Sequence, residues 1–360
     1  MSKVIETYTS HEQKGILLNA NESSKNLPSC IIDEIKDAMN DIAYNRYPDN
    51  SQKELLDAYA NVIGVKEENL LAGNGSDQML WLMIGTFLAK DKVLYTFDPD
   101  FSMYDYYASC YEASVLKYGL KEDGSLDVDG FIQKGKENNV SLVIFSRPNN
   151  PSGYCLTMEE VKQVLDGLND IPVVVDEAYI EFADEESAIT LLDQYSNLYV
   201  TRTLSKAYAC AGIRVGFLIS QMENMKVMKQ RSVVYALNSV TMKIASIVCK
   251  YASLFQKEAM ETKKRRDALY EEIKDMKAIV FYPSQANFIR GKTDRKQKLL
   301  EKFEAKNIVI RNYADDTFRI TIGTEEENRE ILDVLRSFEE EVREVHILKE
   351  IQMKQRFNYH

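Results

Sequence analysis

Two hydrophobic rhythms run along the chain, and their order predicts its architecture. IIDEIKDAMNDIAY, from Ile31, places apolar residues at helical spacing. A turn at NRYPDN separates it from SQKELLDAYANVIG, where Ser51 with Glu54 three residues on reads as a capping box opening a second helix. LLAGNGSD leads into the helix DQMLWLMIGTFLA. From there, β-rich apolar runs alternate with helical segments. KVLYTF precedes FSMYDYYASCY, and SLVIFS precedes TMEEVKQVLDGL, which Thr157 and Glu160 open at capping-box spacing. IPVVVDEAY, NLYVTRTLSK and VGFLIS are further strands. Runs that are apolar throughout belong to strands covered on both faces, so the expected core is a mostly parallel sheet between helices.

The rhythm changes after about Val240. The long helical stretch KEAMETKKRRDALYEEIKDM is followed by short strands (AIVFY, NFIRG, IVIRNY, FRITIG) mixed with the helices RKQKLLEKFEAK and EENREILDVLRSFEEE. The expectation is an α/β protein with a large unit over residues 36–250 and a smaller α+β unit over residues 251–340. Residues 1–35 read as an arm joining the small unit, and residues 341–360 as a charged helical tail. A length of 360 residues suits two cores better than one.

Composition narrows the possible functions. With 45% hydrophobic and 28% charged residues the chain is an ordinary folded protein, and its net charge of −11 disfavours nucleic-acid binding. The start, MSKVIETYTSHEQKG, has no apolar signal core, and the apolar helix Met79–Ala89 is too short to cross a bilayer. A cytoplasmic protein with no membrane partner follows. The three histidines, His11, His346 and His360, all lie near the termini. No Ser-His-Asp triad, Cys-His dyad or His-based metal site is therefore expected. Five cysteines without CxxC spacing read as reduced thiols.

In open α/β sheets ligands sit beyond the carboxyl ends of the strands. The segments there are Gly73-Asn74-Gly75-Ser76-Asp77, Arg147-Pro148-Asn149-Asn150-Pro151-Ser152-Gly153, Asp176-Glu177-Ala178-Tyr179, and Leu204-Ser205-Lys206 with Arg214 eight residues on. Each alone has a plain structural use. GNGSD lacks both the third glycine of a dinucleotide fingerprint and the GK[ST] of a P-loop. NNPSG is a good turn, and an acid at a strand end commonly caps a helix.

In this order, GNGSD, SRPNNPSG, VVVDEAY, TLSKAYACAGIRVGF and FRITIG resemble the fold-type I aminotransferases that use pyridoxal 5′-phosphate. LNANESS, NRYPD and FRITIGTEEEN are similar to the histidinol-phosphate aminotransferase branch, over roughly residues 15–335. The resemblance implies that Lys206 carries the cofactor as a Schiff base and then serves as general base. It implies that Asp176 pairs with the ring nitrogen, that Asn150 and Tyr179 hydrogen-bond the ring's phenolic oxygen, and that Tyr104 stacks on the ring. The cofactor phosphate would be held by the backbone of Gly75, Ser76 and Asp77, by Ser205 and by Arg214, with Thr203 adding a hydroxyl. The Asp77 side chain would cap the turn, and Tyr47 would cross from the partner subunit of a homodimer with shared sites. Arg319 would clamp the substrate anion, with Arg311 as a second arginine and Asn21 and Asn150 beside the substrate.

The implied reaction exchanges an amino group between a small amino donor and a 2-oxo acid, with histidinol phosphate and 2-oxoglutarate as the pair. The alternatives are an aromatic or other amino-acid aminotransferase, a threonine-phosphate decarboxylase of the same branch, a non-catalytic pyridoxal-phosphate sensor, or an NAD-dependent α/β enzyme. The chain departs from the branch in two places. The proline expected soon after Glu22 is delayed to Pro28, and the tail after about Glu340 is additional.

Overall fold

A computed structural model describes residues 14–357, from residue 346 onward as helix backbone alone. His11, His346, His360, the start of the arm and the end of the tail lie outside what it describes in side-chain detail. The first half runs β1 (Ile16–Leu18), α1 (Ser29–Met39), α2 (Lys53–Ile63), β2 (Leu70–Asn74), α3 (Gly75–Phe87), β3 (Val93–Asp98), α4 (Met103–Cys110), β4 (Ser114–Gly119), α5 (Val128–Glu137), β5 (Leu142–Ser146) and α6 (Met158–Gly167). It continues with β6 (Val173–Asp176), β7 (Leu198–Thr203), β8 (Val215–Ile219), α7 (Met222–Arg231), α8 (Ser239–Lys250) and α9 (Ala252–Ile273). The remainder is β9 (Val280–Phe281), β10 (Phe288–Lys292), α10 (Lys296–Ala305), β11 (Ile308–Asn312), β12 (Thr317–Thr321) and α11 (Glu325–Phe357).

Seven strands form the larger sheet in the order β2-β8-β7-β6-β5-β3-β4. Only β8 runs against the others, pairing antiparallel with both β2 and β7. Every residue of β5, β6, β7 and β8 is buried, as expected of strands with helices on both faces. The carboxyl ends of β2, β5, β6 and β7 open on one side, and each leads into one of the segments singled out above.

The second sheet has the order β1-β11-β12-β10-β9, with β1 parallel to β11 and the other neighbours antiparallel. Part of the amino-terminal arm thus becomes an edge strand of the small sheet. Side chains alternate across these strands. Ile289, Phe318, Ile320, Ile308 and Ile310 pack with Leu269, Ile273, Leu299, Phe303 and Leu335 of α9, α10 and α11. The intervening positions, Phe288, Arg290, Arg319, Thr321 and Arg311, occupy the opposite face, and Phe288 packs into the core of the large sheet.

Two local expectations change. The Thr157–Glu160 capping box forms at α6, but Ser51 does not cap α2. The Ser51 hydroxyl donates to the nearby Asp49 carboxylate at 2.7 Å, a charged and therefore stronger acceptor. Glu54 pairs with Lys243 at 2.7 Å, and α2 begins after Gln52, which holds a left-handed φ of 55° and bonds the Ala72 backbone. The hydrophobic pattern also passes over β4, α5, α7 and α8. β4 is a sheet edge with mixed, half-exposed residues. α5 contains Gly130 and Gly135, and Gly135 lies where a Cβ would crowd Tyr95 and Leu168.

Candidate active site

The turn after β2 meets the end of β8 at close quarters. A Cβ on Gly216 would collide with the backbone of Gly75 and Ser76, so glycine is required for the approach. Gly75 itself has φ +75°, and its N–H donates to the Arg214 carbonyl at 3.1 Å. That bond corrects the expectation that all three N–H groups of the turn face an anion. The N–H groups of Ser76 and Asp77 remain, lacking intrahelical acceptors in the first turn of α3, where the helix dipole also favours negative charge. Asp77 does not cap this turn either: Gln78 accepts from the Asn74 N–H at 2.6 Å. The Asp77 carboxylate instead accepts from Arg214 and from the Tyr107 hydroxyl, each at 2.8 Å. Arg214 also reaches Ser205 Oγ at 3.2 Å. The Thr203 hydroxyl lies 2.9 Å from Ser205 Oγ and 3.1 Å from the Val215 carbonyl, where it orients Ser205. A helix N-terminus, a serine hydroxyl and a guanidinium therefore converge, a donor set suited to a phosphate.

At the end of β6, Asp176 is buried and its carboxylate accepts from the Tyr104 and Thr201 hydroxyls, both at 2.8 Å. Neither donor carries charge. Burial consequently pushes this carboxyl up to about 6, against the pull of the two hydrogen bonds. Tyr104, expected as a ring-stacking residue, lies edge-on to Phe101 with its phenol on Asp176. Tyr179 is buried three residues beyond Asp176, and its hydroxyl accepts from Asn21 Nδ2 at 3.0 Å.

Lys206 follows β7 and donates to the Ala20 carbonyl at 2.8 Å. Burial chiefly, then the positive charge of Arg319, brings its amine down to about 8. Arg319 reaches from β12 to Asn150 Oδ1 and to the Asn19 carbonyl, the latter at 2.8 Å, and its guanidinium lies over the Phe288 ring. Arg311 stands beside it as its cross-strand partner. Tyr47 is 83% exposed and stacks on Tyr235, away from these groups within one chain.

Most of the anticipated residues thus meet between the two sheets. Sequence reading missed Thr201, Tyr107 and the carbonyls of Asn19 and Ala20. Tyr107 had a usable signal, one helical turn after Tyr104, and Thr201 lies in β7 directly opposite Asp176. The two carbonyls carried none, since a backbone group has no sequence identity.

These residues fit pyridoxal phosphate on their own chemistry. Asp176 is a buried carboxylate with no ion-pair partner among the described residues, a place that a protonated ring nitrogen would fill. Lys206 is an amine brought toward neutrality, and the α3 N-terminus with Arg214 and Ser205 suits the phosphate. The fold and the donor set define a pyridoxal-phosphate enzyme of the fold-type I architecture. Residues 13–335 match the family Aminotransferase class I and II, and the chain belongs to that family. The histidinol-phosphate aminotransferase of Clostridium kluyveri is 36% identical over 89% of this chain and 92% of that one. Among solved structures, that of the histidinol-phosphate aminotransferase from Clostridium acetobutylicum superposes with a TM-score of 0.82 at 24% identity, covering 91% of this chain and 99% of that one. The L-threonine-O-3-phosphate decarboxylase of Porphyromonas gingivalis gives 0.78 at 20% identity, covering 90% and 99%. At such identities the structures speak for the fold alone.

The lowered Lys206 amine makes a pH prediction. In the cofactor-free chain, capture of pyridoxal phosphate should rise with pH along an apparent pKa of about 8. An unperturbed lysine at pH 8 would be neutral in less than about 1% of molecules. Stopped-flow absorbance against pH measures this, and a midpoint above pH 10 would refute it. The sign for stability follows from linkage. The unfolded chain binds this proton more tightly, so the cost of burying Lys206 is full below about pH 8 and fades as pH rises from there to about 10.5.

Proposed function

We propose that the enzyme transfers the amino group of histidinol phosphate to 2-oxoglutarate, acting as a cytoplasmic homodimer with shared sites. The observation that carries the substrate reading is the cross-strand pair Arg319 and Arg311, set beside Asn150 in a site whose other groups suit the cofactor. Phosphate and carboxylate can use the same guanidinium forks, so one pocket serves both half-reactions. The name carried by the Clostridium kluyveri relative supports the same donor.

When bound, pyridoxal phosphate supplies an electron sink for the substrate α-carbon. The remaining work falls to side chains of this chain. Asp176 would hold the ring-nitrogen proton, while Asn150 and Tyr179 would bond the ring's phenolic oxygen. Ser76, Asp77 and Gly75 through the turn they form, together with Ser205, Thr203 and Arg214, would position the phosphate. Arg319 and Arg311 orient the donor's anion, with Asn21 at the same wall. Lys206, the one basic side chain near neutrality in the site, moves the proton to and from the α-carbon. Residues 36–250 would form the cofactor-bearing unit and residues 251–340, with the arm, the unit that brings the arginines.

Steady-state assays with histidinol phosphate, phenylalanine and glutamate as donors test the substrate. Histidinol phosphate should give the highest kcat/KM, with glutamate formed from 2-oxoglutarate. Equal use of phenylalanine would leave only a general aminotransferase, and release of CO2 from threonine phosphate without glutamate formation would favour the decarboxylase reading.

The dimer reading rests on one surface. Tyr44, Tyr47, Val233 and Val234 are 69%, 83%, 66% and 63% exposed, and a cleft of about 720 Å³ lined by Trp81, Tyr111, Val233 and Ala236 adjoins them. Exposed apolar area of this kind marks an association surface. If Tyr47 serves the partner's site, mixing Lys206→Ala chains with Tyr47→Phe chains creates one unmodified site per hybrid. Cofactor affinity should then return in one of the two sites of each hybrid, about a quarter of all sites in a randomly paired equal mixture, whereas additive behaviour of the two parents would contradict sharing.

A further inference from the structure

Arg319 has an arginine on each side. β12 lies between β11 and β10, and Arg319 is the register partner of Arg311 on one and of Arg290 on the other. Residues directly opposed across antiparallel strands share a face, with Cβ atoms about 4.5–5.5 Å apart, and like charges so placed repel. Three arginines therefore stand in one row on the face that meets the large sheet. The Tyr313 ring lies in the field of all three.

Two of the three, Arg290 and Arg319, are incompletely satisfied. The Nε atoms of Arg290 and Arg319 are both buried without a hydrogen-bond partner. Arg319 is itself 5% exposed, with its remaining nitrogens on Asn150 and the Asn19 carbonyl. Arg290 forms no side-chain hydrogen bond or ion pair among the described residues, and rests on the Tyr282 ring at 5.3 Å. The acids whose charge reaches it are otherwise engaged. Glu122 accepts from Tyr282 at 3.1 Å and from Lys292 at 3.2 Å, and Asp315 accepts from the N–H and hydroxyl of Thr317.

We propose that Arg290 is a third anion-binding arginine of the substrate site, and that the row of three sets a preference for a phosphomonoester over a carboxylate. The proposal rests on the aminotransferase reading above and deepens it. A carboxylate presents two oxygens and one charge, which a single guanidinium fork fully engages. A phosphomonoester presents three terminal oxygens and close to two charges, so it can bond neighbouring forks and relieve their mutual repulsion. In the sequence, Arg290 is only one position of the strand NFIRG; the register with β12 is what makes it a neighbour of Arg319.

The test uses the holoenzyme with Arg290→Gln and Arg290→Lys. For Arg290→Gln, the ratio of kcat/KM for histidinol phosphate to that for glutamate should fall about ten-fold, and inhibition by inorganic phosphate against glutamate should weaken by a similar factor. Arg290→Lys should fall in between, since it keeps the charge and loses the fork. An unchanged ratio with unchanged phosphate inhibition, or an equal loss for both donors, would overturn the proposal and leave Arg290 as a strand residue packed on Tyr282. If the unmodified enzyme does not use histidinol phosphate, the donor reading fails, and inhibition by inorganic phosphate alone decides the role of Arg290.

Discussion

Replacing Lys206 by alanine is expected to abolish covalent attachment of the cofactor and to lower transamination by at least about a thousand-fold, the scale of losing a positioned general base. The effect is large because nothing nearby can substitute. The charged groups whose fields reach Lys206 are Arg319, Glu22, Asp77 and Arg214, and none of them is an amine that could form the Schiff base in its place. Lys206 also sits where burial and Arg319 favour its neutral form, so an amine supplied from solution starts at a disadvantage in both position and protonation. Borohydride reduction followed by mass measurement of the peptide containing residue 206 is the direct readout. Retention of a reduced cofactor adduct in Lys206→Ala would remove Lys206 from its assigned role.

Asp176→Asn should act in opposite directions on stability and on turnover. In the cofactor-free chain the Asp176 carboxyl is buried against two neutral hydroxyls and titrates at about 6. Its folded-state value is raised, so the fold loses stability as pH climbs from about 4 to about 6 and bears the whole cost above that. Asparagine removes the charge, so the cofactor-free variant should melt higher than the unmodified chain at pH 7–8, with the difference shrinking toward pH 4. Turnover should meanwhile fall by about 10²–10³-fold, the scale seen when one preorganised electrostatic partner is lost, because an amide cannot hold a proton on the ring nitrogen. Scanning calorimetry without cofactor and kcat with it separate the two effects. Unimpaired turnover in Asp176→Asn would show that the ring nitrogen is not served by this carboxylate.

Much of the large sheet was legible because its strands are continuous apolar runs. SLVIFS, IPVVV and VGFLIS have no polar face to mislead, NLYVTRT opens with an apolar run before Thr201, Arg202 and Thr203, and all form buried strands. β4 was not legible, because an edge strand half open to water mixes Ser, Lys and Tyr with its apolar residues. The capping boxes show the limits of local rules. Thr157–Glu160 closes, with the Thr157 hydroxyl accepting from the Glu160 N–H and the Glu160 carboxylate from the Thr157 N–H, whereas Ser51, of the same spacing, is captured by Asp49. Asp77 shows the same competition: proximity to Arg214 and Tyr107 draws its carboxylate away from the cap.

By itself the sequence determined which chemical groups follow which strands. Asp176, Asn150, Ser205 and Lys206 lie within a few residues of strand ends, and chain connectivity holds them there whatever else the fold does. Only the tertiary structure decided which distant groups face them. Arg319 reaches Asn150 across 169 positions of chain, and Asn21 meets Tyr179 across 158, because the arm and the small sheet pack against the large one. Register did the same for the arginines. A strand's side chains alternate with a period of two, so a shift of one residue between β10 and β12 would have sent Arg290 to the opposite face from Arg319. Burial set the protonation of Lys206 and Asp176, since the energy of a charge depends on the surrounding dielectric and on its neighbours, and both are properties of the folded chain.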